Sequence, residues 1–348
     1  MTTYTMPLDE FESSLADSIL GPEVEEDHDR PPLGSFVFGP AYDGTLFAIK
    51  DNLLYYCKPK QPEYWPALYY IEVSPLQQPL KTGLVHNGQV WVFTESHAHY
   101  IQGTGHGSFL PFRRDAKTGA QSLRGAVAIA GKGIYHTGSD GIYLLSGSID
   151  TKITEQTLEP LFRGESVNGM LGVDTMSTSI LYPNKNNLYF AYASEDQDYP
   201  GNVLVLNLDT GKVQYHVYND GSLVQIRAIT ADETNKRLLI GDNAGYVRVI
   251  ESPLYTDDSG TAISFELQSK DYGLSTRSHF PRFAKYDVEA TDATVTGSIL
   301  LDGAVHQTHT ITGSRIKKRR LIDVGNGARA ALRIAGSGPA TIYLTEFE

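Results

Sequence analysis

The chain has 348 residues, of which 41% are apolar and 20% charged, with a formal net charge of −12. Single cores rarely outgrow about 250 to 300 residues, so two or three structural units are expected, with enough apolar material to rule out a disordered chain. The acidic balance argues against a protein that holds nucleic acid by neutralising phosphates, though not against one that DNA slides past.

Residues 1–30 carry nine acidic residues and one Arg, and they lack the basic and apolar regions of a secretion signal. Nowhere do 18 apolar residues run together, so the chain is expected to be soluble, without membrane insertion. Within this start, Leu8, Phe11, Leu15 and Ile19 recur at helical spacing, and the spacing predicts a helix over 7–20. The acid- and proline-rich stretch that follows reads as an extended linker. An acidic N-terminal arm over 1–33 results, either docking on a neighbour or simply fraying.

From Gly34 the texture changes to short strands and tight turns. TLFAIK and LLYY flank Asp51-Asn52, and LVH and QVWVFTE flank Asn87-Gly88. Both patterns predict hairpins, because Asn and Gly adopt the left-handed backbone that the tightest hairpins require. Further strands are read in VAIA, IYHTG and IYLLSG, then in TSILYP, NLYFAYA, NVLVLNL and KVQYHV, and finally in VQIRAITAD, RLLIGD and YVRVIE. Five such units over 34–256 suggest an all-β fold, a β-propeller of about five blades. Residues 262–348 contain about seven further alternating segments and predict a C-terminal β-sandwich.

The chemistry-bearing motifs are few. His97 and His99, two apart on one strand face, could share a metal, but no third ligand follows at a recognisable spacing. DQDYPG opens like a calcium loop, yet Pro200 and Asn207 occupy positions where ligands belong, and it reads as a turn. Cys57 is the one cysteine, which excludes a disulfide within the chain; it reads as a small half-buried strand residue, with a reactive thiol as the alternative. No nucleophile elbow, phosphate loop, zinc helix or dinucleotide fingerprint is present. The expectation is therefore no catalytic residue, no metal and no cofactor. Arg315, Lys317, Lys318, Arg319 and Arg320 form a basic strip, either a docking strip for an acidic partner or a solvated loop.

Several stretches, in order, resemble the β-propeller tail proteins of tailed bacteriophages, including the tail-nozzle or packaged-DNA stabilisation proteins. The resemblance rests on NLLYYCKPKQPEYWP followed by LYYIEV, on GLVHNGQVWVFTESHAHYIQGTG, on GAVAIAGKGIYHTGSDGIYLLSG, on TKITEQTLEPLF, and on SILLDG, RRLIDV and ALRIAGSGPATIYLTEFE. It implies a virion structural protein, made in the host cytoplasm and located in the tail. The implied partners are further copies in a homo-oligomeric ring, a connector or adaptor or other tail proteins, and genome DNA passing without specific binding. In CKPKQPEYWP, Pro59, Pro62 and Pro66 are expected to stiffen a connection between two blades, with Trp65 plugging the seam where they meet. A sugar-stacking Trp65 in a receptor- or glycan-binding tail protein is the alternative.

Overall fold

The computed structural model describes residues 30–74, 78–147, 149–154, 158–167, 169–219, 222–250, 262–269, 271–273, 282–323 and 327–347. The helix expected over 7–20 lies outside them. The described residues are all-β apart from one helical turn, α1 (Glu159–Phe162), and the chain divides into two units, Met1–Ile250 and Glu251–Glu348.

The first unit is a series of antiparallel sheets, each made of consecutive strands. The first sheet holds β1 (Phe36–Ala41), β2 (Thr45–Lys50), β3 (Leu53–Tyr56) and β4 (Tyr70–Glu72). The second holds β5 (Leu80–His86), β6 (Gln89–Thr94), β7 (Ala98–Gln102) and β8 (Leu110–Arg114). The third holds β9 (Ala126–Ile129), β10 (Gly133–Gly138), β11 (Gly141–Ser146) and β12 (Ile149–Lys152). The fourth holds β13 (Thr175–Asn184), β14 (Asn187–Ala193), β15 (Asn202–Asn207) and β16 (Val213–Val217). The fifth has three strands among the described residues, β17 (Ile226–Asp232), β18 (Arg237–Asp242) and β19 (Val247–Ile250). The hairpins form where the turn residues put them: Asn87 and Gly88 both have positive φ, 51° and 74°, between the paired His86 and Gln89. Asp51 likewise has φ 54° between the paired Lys50 and Leu53.

Successive sheets pack face to face, with their first strands adjoining. Phe47, Ile49 and Leu54 meet Val90, Val92 and Ile101 between the first and second sheets. Phe93 and Ala98 meet Ile134 and Leu145 between the second and third. Tyr135 and Ile142 meet Leu188, Phe190 and Leu204, with Leu161 and Phe162 of α1 added to the same cluster. Tyr189, Ala191 and Val203 meet Ile229, Leu238 and Ile240. The fourth sheet is thus covered on both faces, which explains why NLYFAYA reads as a continuous apolar run and not as an alternation. Gly83 is required where β5 approaches β1, because a Cβ there would lie 2.5 Å from the ring of Phe38.

The described residues of the second unit form one six-stranded sheet: β20 (Ser264–Gln268), β21 (Tyr272–Gly273), β22 (Phe283–Leu301), β23 (Ala304–Leu321), β24 (Arg329–Ser337) and β25 (Thr341–Phe347). Segments expected as separate strands are joined: FAKYDVEA and TVTGSILL form β22, while AVHQTHTI and the basic strip form β23. β22 pairs β25 through its first half and β24 through its second, with register shifts between Val288 and Val295. A straight strand would hold residues eleven apart about 36 Å from each other. The ring of Tyr286 nevertheless sits 2.6 Å from where a Cβ on Gly297 would be. β22 therefore folds back on itself, and its halves share a core of Tyr286, Val288, Val295, Ile299, Ile311, Leu332 and Ile334.

A candidate functional site between the first and second sheets

The end of β4 and the β7–β8 hairpin enclose a cleft of about 410 Å³ lined by Glu72, Val73, Ser74, His97, His99, Pro111 and Arg113. His97 precedes β7 in a tight turn, where its amide donates to Thr94 Oγ1 at 3.0 Å. Its Nδ1 lies 2.8 Å from Ser96 Oγ and 3.4 Å from Gln78 Oε1. His99 sits inside β7, paired with Val92 on one side and Arg113 on the other. It is only 4% exposed, and its Nδ1 is buried without a hydrogen-bond partner.

Burial, the neighbouring His97 and the Arg113 charge together pull the His99 pKa down to about 4, and burial and Arg113 lower that of His97. Both rings are therefore neutral at pH 7, each with one donor and one acceptor nitrogen. Arg113 is exposed and has no hydrogen-bond or ion-pair partner among the described residues. Glu72, on the opposite wall, accepts a hydrogen bond from Asn52 at 3.3 Å. Among the described residues no group of three His, Cys, Asp or Glu could hold a metal ion, and no helix is long and apolar enough to cross a membrane.

The third sheet contains a second polar constellation that the sequence reading missed. His136, fully buried, places Nδ1 2.8 Å from Gly119 O and Nε2 3.0 Å from Asp150 Oδ1. Asp150 Oδ2 accepts from the Lys117 amide at 2.7 Å. Burial raises the Asp150 pKa, but the His136 hydrogen bond and charge and the Lys117 amide outweigh it, leaving the carboxyl below its usual range. The ring is thereby held between the Gly119 carbonyl on one side and the Asp150 carboxylate on the other. Phe93 and Tyr143 flank the ring at 5.4 and 5.6 Å. With every polar atom engaged within the fold, this pair ties β10 to β12 and leaves none of them for a substrate. A sequence signal was lacking, because the two partners lie fourteen positions apart with nothing in the residues between to link them.

Residues 57–69 join β3 to β4 of the same sheet, so Pro59, Pro62 and Pro66 stiffen a connection within one sheet and not between two. Trp65 packs on Ala48 and Cys57 of that sheet, and the seam to the second sheet is filled by Phe47, Ile49 and Leu54 instead. It is 4% exposed and its Nε1 donates to Pro62 O at 2.8 Å, so its ring offers no platform for a sugar. Cys57 is fully buried rather than half-buried, accepts from the Leu46 amide at 3.1 Å, and has its thiol pKa pushed up by burial. DQDYPG is a turn between β14 and β15, braced by Gln197, which accepts from the Ser194 amide and the Asn202 side chain. The basic strip from Arg315 to Arg320 is not a loop: its backbone belongs to β23, with Lys317 opposite Asp287 and Lys318 opposite Tyr286.

No family model and no curated protein matches the chain. Among solved structures it is similar to Hsv2 of Kluyveromyces marxianus, at 8% identity and a TM-score of 0.39 over 62% of each chain. It is also similar to the extracellular domain of a hybrid two-component system of B. thetaiotaomicron, at 8% identity and a TM-score of 0.42 over 90% of this chain and 43% of that one. Periplasmic gluconolactonase of Pseudomonas aeruginosa gives 14% identity and a TM-score of 0.37 over 84% and 88% of the two chains. In two structures of a further B. thetaiotaomicron extracellular domain the match covers 31% of that chain. At such scores no activity or partner passes from these proteins to this chain.

Proposed function

We propose that the chain is a non-enzymatic structural protein of a phage tail, a five-bladed propeller followed by a sandwich, which assembles into a ring that lines or closes the DNA exit channel. The observation that carries this reading is the placement of the motifs behind the resemblance. NLLYYCKPKQPEYWP with LYYIEV supplies the last two strands of the first sheet, GLVHNGQVWVFTESHAHYIQGTG most of the second and GAVAIAGKGIYHTGSDGIYLLSG most of the third, in the same order along the chain. The acidic net charge suits a lumen that DNA passes without adhering.

The acidic arm and the basic strip are opposite in charge, and a ring satisfies their attraction between copies. Because exposed ion pairs weaken as salt shortens the screening length, rings of the full chain are expected to loosen with salt. Deleting residues 1–30 should impair ring formation while leaving the β circular dichroism unchanged. Imaging of virions carrying a tagged copy places the label at the tail if the reading is right; particles without label overturn it. A second reading, a receptor- or glycan-binding tail protein, is favoured by the cleft at His97, His99 and Arg113, and a glycan array probed with the full chain tests it.

A further inference from the structure

We infer that the cleft between the first and second sheets binds a small hydroxylated carboxylate, of the size and chemistry of an acidic monosaccharide. Three observations converge on that ligand. His99 is a polar side chain more than nine-tenths buried whose Nδ1 has no partner in the fold, although buried polar atoms are almost always hydrogen-bonded. Arg113 is held opposite it by the β7–β8 register and also lacks a partner among the described residues. Its planar fork matches a carboxylate. On the facing wall Glu72 can only accept hydrogen bonds, and Ser74 can donate or accept, so that side of the cleft suits hydroxyl groups.

Competing ligands fit less well. A cation would face the Arg113 guanidinium, whose charge already acts on both imidazoles. A phosphate dianion would find one guanidinium for two negative charges and would face the Glu72 carboxylate across the cleft. A neutral sugar would leave Arg113 without a counter-charge. Val73 and Pro111 supply a small apolar flank, and about 410 Å³ accommodates one sugar ring with room for solvent.

The test is calorimetric titration of the full chain with D-glucuronate, D-glucose and inorganic phosphate. Glucuronate is expected to bind at one site, with glucose and phosphate at least about tenfold weaker. Arg113→Gln should weaken glucuronate binding about tenfold or more without lowering the melting temperature, since Arg113 is exposed. Glu72→Gln should weaken glucuronate and leave acetate, which has no hydroxyl, unchanged. Equal binding of glucose, equal binding of phosphate, no binding of glucuronate at millimolar concentration, or an unaffected Arg113→Gln variant each overturns the inference. The inference stands apart from the tail reading: ring formation by Arg113→Gln, followed by size exclusion, should equal that of the parent, so the failure of one leaves the other standing.

Discussion

Trp65 shows how one residue's role follows from what it touches. Its indole rests on Ala48 and Cys57 and is tied to Pro62 O, with almost no exposed surface. Trp65→Ala removes that cover from the first sheet and should cost roughly 3 to 5 kcal/mol, read as a lower midpoint in urea unfolding. A variant that melts like the parent would show that the connection holds its shape without the ring. His99 sets a pH dependence. Its folded pKa of about 4 lies below the unfolded value of about 6.5, so the unfolded chain binds the extra proton between them. Stability therefore falls as pH drops from about 6.5 towards 4, by up to about 3 kcal/mol. In His99→Gln the difference in melting temperature between pH 7 and pH 4.5 should shrink; an unchanged difference would place the titration elsewhere. Neither role was fully legible in the sequence. The spacing of His97 and His99 drew attention to the right strand, but Arg113 lies across a hairpin whose loop length hides the register.

At the scale of elements, local chemistry was readable and partnering was not. Asn87-Gly88 and Asp51-Asn52 announce their hairpins because few residues tolerate that backbone. CKPKQPEYWP announces a stiff connection just as clearly, yet nothing in its residues says whether it returns to the same sheet or crosses to the next. The basic strip was similarly ambiguous, and its placement in β23 gives it a physical explanation. Among the described residues β23 pairs with β22 alone, leaving its other side as an edge, and Lys and Arg on an edge strand oppose pairing with a second chain. Replacing Lys317, Lys318 and Arg319 by Thr should therefore produce concentration-dependent association, seen by light scattering. Charge reversal of the same residues to Glu keeps the edge charged and should not produce it. Reversal separates the two roles, because a docking strip for the acidic arm would lose ring assembly under reversal while an edge guard would not.

For the whole molecule, a change in strand spacing put the boundary between residues 256 and 262, and the contacts divide the chain between Ile250 and Glu251. Each unit has its own core: the inter-sheet clusters of the first draw only on residues before Glu251, and the cluster around Tyr286 and Val295 only on residues after it. The number of strands in the second unit was not legible, since a strand that bends through a register shift looks in sequence like two strands and a turn. Cores that share no residues predict separate folding. Residues 262–348 expressed alone should give β circular dichroism and one cooperative thermal transition, and so should residues 30–256. The smaller fragment is the sharper test, because a domain of this size has little stability to spare. Tyr286→Ala in that fragment should abolish its transition or lower it steeply, while in the full chain it should leave the transition of the first unit in place. A fragment 262–348 that stays unfolded while the full chain shows one joint transition would mean that the second unit takes its stability from the first.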